Sequence, residues 1–244
     1  MHLLSLRRSS VLFLYVLLVF HSTAFAETWV RFDPSLPAGS RCVVDVTLLH
    51  PTQCSLGLKE VELRASKLRK LDSDKLAEYL GKRIAPIVIG PGGAVYLLDH
   101  HHLARAILLS GVKKTLYAEV KENWSGLPED QFWAKMQERR WVYLYDEAGK
   151  GPLTPSHLPQ TIEAMRDDPY RTLAWLVREK GGYRETSEPY AEFAWANFLR
   201  TRIQLGQDHS NYDQAEKAAL DLAHAPGAKD LPGYIAITNK DARP

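Results

Sequence analysis

The sequence predicts an α+β protein. A small mixed sheet with helices occupies residues 40–122, and an all-helical region follows over 128–224. Three observations lead there. The first half alternates short β-branched runs with segments of helical period. Its punctuation is strong, with Gly90-Pro91-Gly92-Gly93 between two apolar runs and Gly111 closing the segment after them. Near Glu122 to Leu127 the composition shifts, and the rest reads as helical and aromatic-rich.

Taken in order, residues 27–40 are polar and Pro-containing, an irregular lead-in. Residues 41–49 read as one β-branched strand, and Pro51 forces a turn over 50–53. Beyond Gly57, the apolar residues Leu58, Val61, Leu68 and Leu71 interleave with Glu and Lys, predicting an amphipathic helix. Asp72 or Ser73 can cap a second helix that ends near Gly81. Residues 86–89 and 94–98 form a hairpin across the glycine turn. A helix over 100–110 and a strand over 114–120 complete the unit. In the second half, helices are expected over 128–140, 158–166, 169–180, 189–203 and 212–222. Several have Pro just inside the start, where its missing N–H costs nothing. Phe193, Ala194, Asn197 and Phe198 share one helical face and read as core. The tail after Ala225 reads as loosely ordered.

The N-terminus reads as an export signal over residues 1–26. Arg7 and Arg8 precede a short apolar run, and Ala24-Phe25-Ala26 has the form of a cleavage site. The run is too short for a membrane span, which needs about 20 residues, so a periplasmic or secreted protein is expected. Without Arg7 and Arg8 the 31 basic residues become 29, against 29 acidic. A neutral mature chain lacks the broad basic face of a DNA binder. The local cluster at Lys67, Arg69 and Lys70 reads as a solvated helix face. Cys42 and Cys54 are the only cysteines. Oxidation could pair them, for about 2–3 kcal/mol in the chain-entropy model; otherwise Cys42 is a buried strand residue and Cys54 a loop thiol.

Reactive chemistry concentrates at Asp99-His100-His101-His102, between an apolar strand and a helix. Asp99 is a natural N-cap, accepting from N–H groups two and three residues on. The histidines then fall in the first turn, where free N–H groups and the positive helix end favour anions and neutral imidazoles. Neighbouring residues on a helix point about 100° apart, so the three rings do not converge on a metal. His101 and Arg105 are four residues apart and could address one anionic group together.

Residues from both halves resemble a known family. Pro51-Thr52-Gln53, Gly57, Lys59-Glu60-Val61 and Leu98-Asp99-His100-His101-His102 are similar to the ParB-like/sulfiredoxin-like superfamily, closest to its ParB-like nuclease branch. Asp168-Pro169-Tyr170-Arg171, Trp175, Arg178, Gly181-Gly182-Tyr183 and Glu192-Phe193-Ala194-Trp195 extend the resemblance across residues 40–203. It implies a ParB/sulfiredoxin-like mixed sheet that handles phosphates or nucleotides at the turn before the helix. Relatives include CTP-binding partition proteins, ATP-dependent sulfinic acid reductases and serine kinases. The kinases carry an Asp-Gly-His-His-Arg run, onto which Asp99, His101 and His102 fall. This chain departs from it at His100 and Leu103. No cysteine lies near His101, which excludes sulfinic acid reduction, and the export signal argues against chromosome partition.

The resemblance implies His101, His102, Glu60 and Asp99 as catalytic groups, with Thr52 and Gln53 near the phosphate; His100, in the first turn, and Arg105, one turn on from His101 in place of the missing clamp, are expected at the phosphate from the turn itself. Asp168, Tyr170 and Arg171 are expected to pack the two halves together or to line the cleft. The function expected is phosphoester cleavage, as a nuclease or phosphohydrolase, acting on nucleic acid or a small phosphate-containing molecule. The alternatives are an inactive nucleotide- or ligand-binding module, and a nucleotide-dependent small-molecule kinase of the same fold. The sequence assigns no metal; a divalent ion is the candidate cofactor.

Overall fold

A computed structural model of the chain describes residues 29–206 and 211–236. The expected export signal, residues 1–26, lies outside them. The strands are β1 (Val30–Arg31), β2 (Arg41–Asp45), β3 (Leu49–Pro51), β4 (Ser55–Leu56), β5 (Ala85–Ile89), β6 (Val95–Leu97), β7 (Thr115–Asn123) and β8 (Arg166–Asp167). The helices are α1 (Leu58–Arg69), α2 (Ser73–Gly81), α3 (His101–Ser110), α4 (Glu129–Glu138), α5 (Pro169–Glu179), α6 (Ala191–Arg200) and α7 (Tyr212–Ala223).

Six strands form one sheet in the order β1-β2-β7-β5-β6-β3. It is mixed: β2–β7 and β5–β6 are antiparallel, while β1–β2, β5–β7 and β3–β6 are parallel. The predicted α+β fold is the one observed. One expected strand, 41–49, is in fact two. Asp45 accepts from Thr47 N at 2.9 Å, which turns residues 46–48 into a 3₁₀ turn. The chain then resumes as β3 at the far edge of the sheet.

Local capping sets the helices beside the sheet. Asp72 accepts from Lys75 N at 2.9 Å and starts α2. Gly111, at φ +71°, ends α3 in the left-handed conformation that glycine adopts without penalty. The largest core packs the sheet against α1 and α3, through Val61, Leu68, Leu103 and Ile107. A second core joins α5, α6 and α7 around Trp195. A third holds Val88 against Phe132 and Met136 of α4.

The helix expected over 158–166 does not form. Pro159 removes a backbone donor, and Thr161 accepts from Ala164 N at 3.3 Å to make a single 3₁₀ turn, Ile162–Ala164. Ile162 and Met165 reach into the main core, and β8 pairs in parallel with β4. The tail is also more ordered than expected up to residue 236. Trp195 Nε1 donates to Pro232 O at 2.7 Å, and Arg184 N donates to Gly233 O at 2.8 Å. Cys42 and Cys54 are buried free thiols in different cores, so they form no disulfide. Among the described residues, no helix is long and apolar enough to cross a membrane.

Candidate functional site

The Asp99 turn splits its residues between surface and core. Asp99 Oδ1 accepts from the N–H of His100 at 2.6 Å, not from the first helical turn as the sequence suggested. His100 is the N-cap residue, without a side-chain capping bond, and sits at φ +66° in the left-handed region. That reversal leaves Asp99 exposed and sends the next two side chains inward.

His101 and His102 are buried acceptors. His101 Nε2 receives Thr52 N–H at 3.2 Å, and His102 Nε2 receives Gly57 N–H at 2.9 Å. Each neutral ring therefore carries its proton on Nδ1. Burial holds His101 down at about 4, against the Asp99 carboxylate, which pulls it up. Burial and then the nearby Arg171 and Arg64 hold His102 well below 6.5. His100 is lowered as well, chiefly by burial. Thr52 Oγ1 donates to Leu97 O at 2.7 Å, completing a seam between the 52–57 loop and the start of α3. Gly57 lets α5 approach that loop. A Cβ there would lie 2.4 Å from Thr172 Oγ1 and 2.8 Å from its backbone nitrogen.

Glu60 lies behind this seam, 2% exposed. Its Oε1 accepts from Arg64 Nε at 2.8 Å and pairs with Arg64 Nη2 at 2.7 Å. Its Oε2 stands 3.4 Å from His102 Nε2 and 3.7 Å from Arg171 Nη1, without a hydrogen bond. The His102 contact is not an ion pair, since Nε2 is already occupied as an acceptor. Arg171, 6% exposed, joins its Nη2 to Glu192, whose other oxygen meets Arg178 Nη1. Arg171 Nε and Nη1 have no hydrogen-bond partner. Asp168 caps α5 by accepting from Tyr170 N and Arg171 N, at 2.9 and 3.2 Å, and pairs with Arg200 at 2.7 Å. Burial raises its pKa despite that arginine. Tyr170 donates to Ile203 O at 2.8 Å, so these two residues are packing elements.

A cavity of about 520 Å³ opens where the two halves meet. Gln53, Leu98 and Asp99 line it, together with Lys121 of β7. Arg171 and Arg178 of α5, Glu192 of α6 and the 183–190 loop line it as well, as do Arg140 and Trp141. Of the residues expected at the site, Asp99 and Gln53 reach this lining. His101, His102, Thr52 and Glu60 are buried outside it, and neither His100 nor Arg105 contributes to it. Among the described residues, no group of three or more His, Cys, Asp or Glu side chains converges as a metal site. Arg178 and Glu192 appeared in the sequence only as marks of resemblance. The available signal was the seven-residue spacing of Arg171 and Arg178, which puts both on one face of α5.

The fold and cavity together define a ParB-like α+β protein in which an acidic turn and an arginine-bearing helix line one cavity. Residues 42–201 match the sequence model of the family described as "Putative ParB-like nuclease", and the chain belongs to that family. Protein Atu1540 from Agrobacterium tumefaciens, known from a crystal structure, is 34% identical, with a TM-score of 0.75 over 83% of this chain and 100% of that chain. The C-terminally truncated chromosome-partitioning protein ParB from Caulobacter crescentus, complexed with CTP-γ-S, aligns at 13% identity over 78% of this chain and 95% of that one. Its TM-score of 0.28 carries nothing further. None of the curated proteins matches the chain.

Proposed function

We propose that this protein is an exported phosphoester-cleaving enzyme, a nuclease or phosphohydrolase, whose substrate phosphate enters the cavity between Asp99 and the arginines of α5. One observation carries the reading. An exposed carboxylate shares a cavity of about 520 Å³ with a buried guanidinium whose Nε makes no hydrogen bond. Leaving a buried donor unpaired costs about 1–3 kcal/mol, and phosphate oxygens are strong acceptors of guanidinium N–H. Asp99 then serves as the base: a water oxygen attacks phosphorus, its proton passes to the carboxylate, and the ester oxygen leaves. Asp99 and Gln53 also offer oxygen ligands with which a divalent ion could bridge to the phosphate. His101, His102 and Glu60 hold the floor and the loop in place. The segment Arg7 to Ala26 supports export.

One observation favours a ligand-binding module without turnover. Neither His101 nor His102 lines the cavity, so Asp99 stands there without the expected histidines. The test uses residues 27–244 with single- and double-stranded nucleic acid and a phosphodiester dye substrate, with and without Mg²⁺, Mn²⁺ or Zn²⁺. Turnover should fall at least about 100-fold in Asp99→Asn, which keeps the acceptor for His100 N–H. Turnover unchanged in Asp99→Asn, or no turnover of any substrate, sinks the enzyme reading.

A further inference from the structure

Arg171 and Arg178 converge on the single carboxylate of Glu192, one guanidinium on each oxygen. Glu192 sits in the first turn of α6, just after Tyr190, which bends the chain at φ +63°. Two arginines closing on one planar anion is the arrangement by which proteins recognise carboxylates and phosphates. Here the anion belongs to the chain itself, and it lines the cavity. The fit is incomplete, because both Glu192 oxygens are used while Arg171 Nε makes no hydrogen bond. Nη1 is turned to Glu60, 3.7 Å from its Oε2. Nε shares an edge of the planar guanidinium with Nη2, and a tetrahedral group with three or four oxygens and a second negative charge can take that edge while still reaching Arg178.

We propose that Glu192 occupies an anion site belonging to the ligand's phosphate, and that phosphate displaces it from the arginine pair. The proposal rests on the phosphate reading of the cavity and deepens it, making Glu192 the residue that sets affinity and selects among anions. A monocarboxylate gains nothing by exchanging with Glu192. A phosphate adds oxygens for Arg171 and releases the Glu192 side chain toward solvent, from a position already 19% exposed. Phosphate affinity is then reduced by the fraction of molecules in which Glu192 stays on the arginines.

The experiment titrates inorganic phosphate into the mature protein by calorimetry, with acetate as the control anion. Glu192→Gln keeps the size of the side chain and removes its charge, and should bind phosphate about ten-fold more tightly than wild type, with acetate gaining far less. Equal or weaker phosphate binding by folded Glu192→Gln overturns the proposal, because Glu192 would then be positioning the arginines. If Glu192→Gln does not fold, Glu192→Asp replaces it. One methylene shorter, it should leave the pair more easily and bind more tightly; unchanged affinity overturns the proposal. Phosphate binding to neither wild type nor variant also overturns it. Turnover plays no part, so tighter binding in a protein without activity supports this inference while sinking the enzyme reading. An active enzyme with unchanged phosphate affinity does the reverse.

Discussion

Asp99 and His101 are two residues apart, yet they belong to different regions of the molecule. Asp99 is exposed and faces a cavity of about 520 Å³. His101 is 3% exposed and spends its acceptor on the Thr52 backbone. The left-handed residue between them makes the difference. A run of reactive side chains is therefore not a site in itself; the backbone decides which members meet solvent. Here the histidines became struts, and the charged residues of α5 and α6 that share the cavity with Asp99 lie about seventy residues or more further along the chain.

Removing a strut should cost the most. Glu60→Ala takes their shared carboxylate from the half-buried Arg64 and the buried Arg171. About 3–5 kcal/mol of stability should be lost in denaturant unfolding. A loss below about 1 kcal/mol would put Glu60 outside the buried framework and break the contrast. Acid should act next on the same region. The His101 pKa is about 4 when folded and about 6.5 when unfolded, so the unfolded chain binds the proton more readily. Stability is then complete above pH 6.5 and falls as the pH drops toward 4, by about 2 kcal/mol at pH 5 from His101 alone. His102 adds to it with the same sign. Melting curves should show wild type losing more between pH 7 and 5 than His101→Gln does. Parallel losses would contradict the buried neutral ring. The smallest effect belongs to the hinge. His100→Gly relieves a left-handed backbone and gives up some packing, for a net change within about 1 kcal/mol. A larger loss would mean that the His100 ring, not its backbone, shapes the turn.

What the sequence made legible was local. Asp72 and Gly81 bound α2, the glycine turn makes the β5–β6 hairpin, and Gly111 stops α3, each through its own backbone preference. The break between β2 and β3 was harder to see. It depends on one Asp45 bond and on a sheet that places the two strands on opposite sides. Strand β8 is two residues long and exists because β4 lies beside it. The helix misread over 158–166 had apolar residues at helical intervals, but they serve a 3₁₀ turn packed on the main core. At the site, the motif located Asp99 but could not give the direction of the rings after it, which follows from a positive φ at a non-glycine residue. The arginine wall needed the tertiary fold, because nothing local ties Arg171 and Glu192 to Asp99.

The most direct test of this split reads the rings themselves. Long-range ¹H–¹⁵N NMR on histidine-labelled protein, assigned with His101→Gln and His102→Gln, would be followed from pH 8 to 5 with and without inorganic phosphate. The account predicts that His101 and His102 stay neutral with the proton on Nδ1 throughout this range, and that their Nε2 signals do not move with phosphate. Either ring titrating near pH 6.5, or shifting when phosphate binds, would place the histidines in the working site and contradict it.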